Sequence, residues 1–221
     1  KEQTCPYDYF KVIAEYSYAD KSDIKLAIDS TKKGKEMWNK IDDREKINIF
    51  KTAANLVTTK YRDKLLASTM LGQGKNIYQA EIDTIGELAD FLNFNVKYYN
   101  DIHSDKLINT EGIKNSYKWR SLDGFVASIT PFNFTAIGGN LATTPLLMGN
   151  TVIWKPSEYS ILSNYIFYEL MIEAGMPSEV LQFIPSDPNV FMDEITKSED
   201  LGGIAFTGSS QVFDNILKKV Y

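Results

Sequence analysis

The sequence predicts an α/β protein in which a helical region precedes a parallel β-sheet. Three observations support this fold class. From residue 123 onward, short apolar runs alternate with segments of helical periodicity, a pattern typical of parallel sheets with right-handed crossovers. Gly149 and Gly175 stand where two of the expected helices stop, as is common at helix C-termini. Polar loops follow the apolar runs, at the edge where open α/β sheets place their ligands.

The first 106 residues are predicted to be mainly helical. Asp20 is a favourable N-cap for a helix that buries Ile24. A second helix begins with acidic residues at 42–45, which are stabilised by the positive end of the helix dipole. Further helices with apolar stripes at helical spacing are expected at 62–71 and 78–99.

Residues 107–122 are predicted to form a β-hairpin. Gly112 and Asn115 separate short extended pieces, and Tyr117 and Trp119 alternate as on a strand. Because the segment lies between the helices and the sheet, we expect an arm that projects from the domain. The chain therefore divides into three expected regions: a helical region at 1–106, the hairpin at 107–122 and an α/β region at 123–221.

The α/β region is predicted to contain four strands and four helices. Pro131 ends the first strand because it has no backbone N–H to donate. The expected strands are 125–130, 151–154, 180–184 and 203–206, and the expected helices are 136–148, 159–174, 189–197 and 211–220. The last of these helices has no stop signal, so we expect the natural chain to continue beyond it.

Composition and charge argue against several classes of protein. Apolar residues make up 43% and charged residues 24%, which is ordinary for a globular protein. The net charge of −5 and the dispersed Lys and Arg residues do not indicate a nucleic-acid surface. No apolar run has the length of about 20 residues that a membrane helix needs. One cysteine, Cys5, and one histidine, His103, argue against a His-based metal site or a Ser-His-Asp triad; we expect His103 in a solvated loop.

Asn133 follows the first predicted strand, directly after the turn at Pro131. At the carboxyl end of a strand its amide is placed to donate a hydrogen bond to a developing oxyanion, a contact that carries much of acyl-transfer catalysis. Asn is also a common turn residue, and taken alone the residue favours that simpler interpretation.

Two further loops suit a nucleotide. Lys155 and Glu158 leave the second strand three residues apart and are able to hold two ribose hydroxyls by charge-assisted hydrogen bonds; alternatively, this loop only caps the next helix. Gly208 and Ser209 lead from the fourth strand into a helix, whose N-terminal amides suit a pyrophosphate, although ordinary caps have the same composition. The combination is stronger than any one loop, because parallel strands bring their carboxyl ends to one edge.

The segment Gly72–Lys75 contains glycines and a lysine, as phosphate-binding loops do. It lacks the third glycine of the dinucleotide fingerprint, since Ile77 takes that place, and it follows a helix rather than a strand. We therefore interpret it as a turn between two helices.

Three segments resemble the aldehyde dehydrogenase superfamily in their order and spacing: Pro131–Phe134, Trp154–Glu158 and Phe206–Ser209. Four matches narrow the resemblance to the branch that oxidises L-glutamate γ-semialdehyde: Gly72–Lys75, Gln79–Asp83, Ser128–Leu141 and Leu147–Asn150. The resemblance covers essentially the whole chain. It implies the N-terminal portion of a Rossmann-like NAD-binding domain, with the hairpin near 107–122 as the start of an oligomerisation arm.

The resemblance also implies roles for individual residues. Asn133 matches the amide that holds the oxyanion, and Phe134 and Glu87 match residues of the aldehyde tunnel. The implied NAD site consists of the backbone of Ile129, Thr130 and Pro131, the ribose-binding pair Lys155 and Glu158, and the pyrophosphate-binding turn at Gly208 and Ser209.

The nucleophilic cysteine and the general-base glutamate of this family lie in segments beyond residue 221, and Cys5 matches no catalytic position. We therefore expect a portion of an NAD-dependent dehydrogenase that oxidises glutamate semialdehyde to glutamate in proline catabolism, and that cannot turn over alone, since it lacks the nucleophile and the base. Two alternatives stay open: a shortened non-catalytic homologue that serves as a structural or assembly subunit, and an aldehyde dehydrogenase with another substrate. The resemblance further implies a homodimer or higher homo-oligomer, located in the mitochondrial matrix of a eukaryote or otherwise in the cytoplasm.

Overall fold

The computed structural model describes residues 1–220 as helices, strands and their connections. The helices are Lys21–Trp38 (α1), Asp43–Thr58 (α2), Arg62–Gln73 (α3), Ile77–Ala80 (α4), Leu88–Ser104 (α5), Thr135–Leu147 (α6), Ile161–Glu173 (α7), Pro188–Ile195 (α8) and Ser210–Val220 (α9). The strands are Glu2–Cys5 (β1), Asp8–Glu15 (β2), Phe125–Ile129 (β3), Thr151–Lys155 (β4), Leu181–Phe183 (β5) and Leu201–Phe206 (β6). A π-helical segment, Glu81–Glu87, joins α4 to α5, and a 3-10 turn, Glu158–Ser160, precedes α7.

Four of the strands form a parallel sheet in the order β5-β4-β3-β6. Ile129 at the end of β3 pairs with Lys155 of β4 on one side and with Phe206 of β6 on the other. The three strands therefore end at the same level, and the loops that follow them leave from one edge. The predicted α/β fold is confirmed, with small shifts at the ends of its elements.

Helices cover both faces of this sheet, and alternate strand residues supply the two cores. One core joins Val126 and Trp154 to α2, α5, α6 and α7. The other joins Phe125 and Ile153 to α1 and α8. Because successive strand residues point to opposite faces, continuous apolar runs such as 125–129 are required by burial on both sides.

Local signals explain where several helices begin and end. The Asp20 carboxylate accepts hydrogen bonds from the backbone N–H groups of Ser22 and Asp23 at the start of α1. Gly74, with a φ of 65°, ends α3 in the left-handed conformation, which glycine adopts without steric cost. The turn predicted at Gly72–Lys75 is therefore confirmed.

The expectation that the first hundred residues are helical was wrong for the N-terminus, where β1 and β2 form an antiparallel hairpin. Tertiary contacts anchor this hairpin to the rest of the chain. The side chain of Gln3 donates to the carbonyl oxygen of Tyr159 over 2.7 Å and accepts from the N–H of Leu162 over 2.8 Å.

The prediction that residues 107–122 form a pair of strands was also wrong. In this segment a single bridge joins Thr110 to Ile113 within a turn. Most of its side chains are exposed, so among residues 1–220 alternating residues such as Tyr117 and Trp119 have no buried sheet face to occupy.

His103 lies in the last turn of α5 instead of the expected loop. Its ring stacks on Tyr99 with the centroids 3.9 Å apart, which makes it a half-buried packing residue. Among the residues that the structure describes, no helix combines the length and the hydropathy that crossing a membrane requires.

Candidate functional site

A cleft of about 560 Å³ lies at the carboxyl edge of the parallel sheet. Asn133 lines this cleft together with all the residues that were predicted to bind the cofactor, namely Ile129, Thr130, Pro131, Lys155, Glu158, Gly208 and Ser209. The fold thus brings together residues from three separate loops of the sequence.

The floor of the cleft is fixed by the strand ends themselves. The N–H of Thr130 donates to the carbonyl oxygen of Lys155 over 3.2 Å, which extends the β3–β4 pairing by one residue. The indole Nε1 of Trp154 donates to Oγ1 of Thr130 over 2.9 Å. Because both groups are buried, this bond holds the backbone where the chain leaves the sheet toward Pro131.

Lys155 places a buried cation in the cleft. Lys155 is only 8% exposed. Its Nζ donates to the carbonyl oxygen of Pro156 over 3.2 Å. Burial lowers the pKa of this ammonium, and the carboxylates of Glu158 and Asp187 partly oppose that effect. An ammonium has donors beyond the one used here, so Lys155 is suited to hold a polar ligand.

Glu158 lies at the rim of the cleft and is held there by Tyr18. The Tyr18 hydroxyl donates to Oε2 of Glu158 over 2.6 Å. Burial is the largest cause that raises the pKa of Tyr18, and the neighbouring Glu158 carboxylate raises it further. This hydroxyl is therefore protonated at neutral pH. No local pattern in the sequence points to Tyr18, because its contact with Glu158 spans 140 positions.

Gly208 and Ser209 form the turn into α9. The Ser209 hydroxyl accepts from the N–H of Val212 over 3.3 Å, so Ser209 caps the helix. A Cβ atom at position 208 would lie 2.5 Å from the ring of Phe206, which explains why glycine suits this position. The remaining N–H groups of the first turn of α9, with the helix dipole, suit an anionic group such as a pyrophosphate.

Asn133 and Phe134 precede α6, whose own N-cap residue, Phe134, supplies no side-chain hydrogen bond. A distant carboxylate takes that place. Asp83 accepts from the N–H of Thr135 over 3.0 Å and from the N–H of Ala136 over 2.8 Å. Asp83 belongs to the segment Gln79–Asp83 that carries the family resemblance, but no pattern in the sequence predicts its role as a cap.

Phe134 and Glu87 are not among the residues that line the cleft. Phe134 lies beneath Lys75, whose Nζ is 3.8 Å from the centre of its ring. Glu87 is the last residue of the π-helical segment that carries Asp83, and it is half-buried. Phe134 therefore lies on the side of the Asn133 loop that faces Lys75 and the helical region of the chain.

Cys5 is buried in β1 and does not line the cleft. The arrangement as a whole offers a nucleotide-sized cleft with a cation, a carboxylate and a helix N-terminus, and it offers an amide donor at the end of β3. These groups are able to bind a dinucleotide and to stabilise an oxyanion, but they include no thiolate nucleophile.

Comparison with known proteins gives a consistent result. The yeast Schizosaccharomyces pombe has a protein named "Probable delta-1-pyrroline-5-carboxylate dehydrogenase" that is 47% identical over 216 residues, which are 97% of this chain and 39% of that relative. The human mitochondrial delta-1-pyrroline-5-carboxylate dehydrogenase is 44% identical over 218 residues, which are 99% of this chain and 39% of the relative. The chain thus spans about two fifths of the length of the relatives that it matches.

Solved structures agree with these sequence matches. The crystal structure of the delta-pyrroline-5-carboxylate dehydrogenase from Mycobacterium tuberculosis bound with NAD superposes with a TM-score of 0.97. The two sequences are 39% identical, and the match covers 100% of this chain and 41% of that one. The profile of the aldehyde dehydrogenase family matches residues 1–221. This chain therefore belongs to the aldehyde dehydrogenase family.

Proposed function

We propose that this chain supplies the NAD site and the oxyanion-holding amide of a dehydrogenase that oxidises L-glutamate γ-semialdehyde, the open form of Δ1-pyrroline-5-carboxylate, to L-glutamate in proline catabolism. The observation that carries the proposal is that Ile129, Lys155 and Phe206 end their strands side by side in the sheet. The three loops that follow these strands therefore meet in one cleft. The names of the Schizosaccharomyces pombe and human relatives support this substrate, and the bound NAD of the Mycobacterium tuberculosis protein supports the cofactor.

In this proposal Lys155 and Glu158 bind the adenosine ribose of NAD, and Gly208 and Ser209 place the N-terminus of α9 against the pyrophosphate. The backbone of Ile129, Thr130 and Pro131 lines the path toward the nicotinamide. When bound, NAD supplies a hydride acceptor. Glu158 favours NAD over NADP, because a carboxylate beside the ribose repels a 2′-phosphate.

Asn133 acts on the aldehyde. A cysteine thiolate from a segment of the protein outside this sequence attacks the aldehyde carbon, and the carbonyl oxygen becomes the oxyanion of a thiohemiacetal. The Asn133 amide donates to that oxyanion, which stabilises the transition state more than the ground state. The thiohemiacetal carbon would give up its hydride to the bound NAD and become a thioester. Water activated by a glutamate outside this sequence would hydrolyse that thioester to the carboxylate, with release of the thiolate. Phe134 and Glu87 contribute to the tunnel through which the semialdehyde enters.

Other expectations belong to the same proposal. The exposed segment 107–122 begins an oligomerisation arm, between the helical region at 1–106 and the nucleotide-binding region at 123–221, and the protein forms a homodimer or higher homo-oligomer. The mitochondrial names of the human and Danio rerio relatives support the mitochondrial matrix in a eukaryotic source.

The test is steady-state kinetics of the natural protein that contains this sequence, with Asn133→Ala as the variant. We expect NAD-dependent oxidation of glutamate semialdehyde, a loss of about 10²- to 10³-fold in kcat for Asn133→Ala, and a nearly unchanged Kd for NAD. A variant rate close to that of the wild type would remove Asn133 from the mechanism.

The intact mass of the natural protein tests the alternative. A protein of 221 residues that binds NAD without turnover would support a structural or assembly subunit.

A further inference from the structure

Lys75 and Asp83 form a buried ion pair next to the loop that carries Asn133. The Nζ of Lys75 lies 2.6 Å from Oδ2 of Asp83. The side chain of Asp83 is 0% exposed and that of Lys75 is 13% exposed. A carboxylate this deeply buried requires compensating partners, and all of its partners lie on or around one structural feature, the start of α6.

Asp83 caps α6 from outside the helix. Its Oδ2 accepts from the N–H of Thr135 and its Oδ1 accepts from the N–H of Ala136. These are N–H groups of the first helical turn, which have no partner within the helix. The negative charge also lies at the positive end of the helix dipole. Such a cap replaces the side-chain bond that Phe134 does not make.

Lys75 acts on both Asp83 and Phe134. It compensates the buried carboxylate, and its ammonium lies 3.8 Å from the centre of the Phe134 ring, within the range of a cation–π contact. One cation therefore restrains the carboxylate that caps α6 and the aromatic ring that precedes it.

The loop between β3 and α6 is short, so these restraints reach Asn133. A single residue, Phe134, separates Asn133 from Thr135. Upstream, the rigid Pro131 follows Thr130, whose side chain is bonded to Trp154. Downstream, Thr135 is held by Asp83 and its hydroxyl also bonds with Thr69, Gln73 and Ser163; the four side chains form one buried network.

We infer that Lys75 and Asp83 are positioning residues that fix the Asn133 amide and the Phe134 ring for reaction with the aldehyde. The inference rests on the proposed function, since it assigns a purpose to the placement of Asn133. The interaction of Asp83 with Asn133 is indirect, through the backbone of the first turn of α6. A displacement of that turn moves the amide away from the oxyanion while leaving the Lys155 and Ser209 loops in place.

A double-mutant cycle in the natural full-length protein tests this inference. Asp83→Asn replaces one of the two acceptor oxygens by an amide nitrogen, which is a donor, so one of the two N–H groups loses the oxygen that it bonds in the wild type. We expect it to lower kcat by about 10- to 100-fold, as displacements of around 1 Å do, with the Kd for NAD unchanged. In the Asn133→Ala background the same substitution should lower kcat by less than about threefold, because the group that it positions is already gone.

Lys75→Met is the second variant, chosen because the partly exposed Lys75 is more tolerant of replacement than Asp83. It should lower kcat in the same direction, and Lys75→Arg should restore most of the rate. Lys64→Met and Asp90→Asn are matched controls. Lys64 also lies over an aromatic ring, that of Tyr61, and both residues are exposed; neither change should alter kcat.

The outcomes separate the two proposals. If Asn133→Ala lowers kcat but the losses from Asp83→Asn or Lys75→Met add to it in full, the pair is structural and this inference is overturned while the oxyanion role stands. If Asn133→Ala itself leaves kcat unchanged, the oxyanion role and this inference both fall. If Asp83→Asn does not fold, the Lys75→Met cycle decides in the same way.

Discussion

The hydroxyl of Tyr18 donates to Oε2 of Glu158 over 2.6 Å and so connects the segment before α1 to the loop after β4. Tyr18 is anchored by its neighbour, since the N–H of Ala19 donates to the carbonyl oxygen of Pro185 over 2.8 Å. An exposed glutamate would otherwise sample several rotamers and lose that freedom on binding a ribose. The bond therefore organises Glu158 before the cofactor arrives.

Tyr18→Phe should weaken NAD binding by about fivefold, because a hydrogen bond of about 1 kcal/mol that orients Glu158 is lost. Tyr9→Phe is the matched control, since Tyr9 is 75% exposed in the N-terminal hairpin. Isothermal titration with NAD measures both variants. An equal Kd for wild type and Tyr18→Phe would mean that Glu158 needs no such support.

Lys155→Met should weaken NAD binding and at the same time raise the free energy of unfolding at neutral pH by about 1 kcal/mol, since an apolar chain of similar length replaces a buried ammonium. The two changes have opposite signs, which distinguishes a binding residue from a structural one. Chemical unfolding and NAD titration of the same samples measure them. Unchanged NAD affinity would contradict the assignment of Lys155 to the ribose.

The lowered pKa of Lys155 also predicts how stability depends on pH. In the folded protein the ammonium loses its proton below the ordinary value of 10.5. Between the folded pKa and that value the unfolded chain binds more protons, so this group makes the free energy of unfolding rise with pH. The gain is lost as the pH falls through the folded pKa. The contribution should be absent from Lys155→Met. If the free energies of unfolding of the wild type and the variant change with pH in parallel, this prediction is refuted.

Gly139→Ala should destabilise the fold by about 1–3 kcal/mol, as overpacking of a core does. A Cβ atom at this position on α6 would lie 2.6 Å from Leu88 and 2.8 Å from Phe167, and both side chains are fully buried. Gly86→Ala is the matched control, because its Cβ atom would meet its nearest neighbour at 3.8 Å. Denaturant unfolding compares the two; equal stabilities would show that the α5–α6 contact relaxes freely.

Glu87→Gln should raise the KM for glutamate semialdehyde by about tenfold or more, because in the proposed function the tunnel would lose a carboxylate that attracts the ammonium group of the substrate. The Kd for NAD should not change, because Glu87 lies outside the cofactor cleft. An aldehyde without an amino group should show the same KM in both proteins. Glu169→Gln, on the exposed face of α7, is the control. A KM that rises equally for both aldehydes would contradict a direct contact with the ammonium.

Local sequence signals were sufficient for the elements of the α/β region. Pro131, Gly149 and Gly175 act on their own residues and immediate neighbours, and the mainly apolar runs at 125–129 and 151–154 require burial wherever they are placed. The family resemblance then identified the loops that meet in the cleft. These inferences depend on residues close together in the chain, which is why they were available before the structure.

Whether a strand forms in the segments that were predicted wrongly depends on which other segments are available to pair with them. The strands β1 and β2 pair with each other, and Gln3 anchors them to the backbone of Tyr159 and Leu162, far along the chain. The segment 107–122 has strand-like alternation but no partner strand among the residues described. Strand propensity largely measures the surroundings of a side chain, so neither outcome is visible in a local window.

By itself the sequence determined the parallel α/β architecture, the loops at the carboxyl edge and the residues that the family resemblance assigns to NAD. The tertiary structure alone decided how those residues are held. Asp83 reaches the start of α6 across 52 positions, and Tyr18 reaches Glu158 across 140. Contacts between residues so far apart depend on how helices and strands pack. The residues next to a carboxylate or hydroxyl in the sequence do not indicate whether packing will give it such a partner.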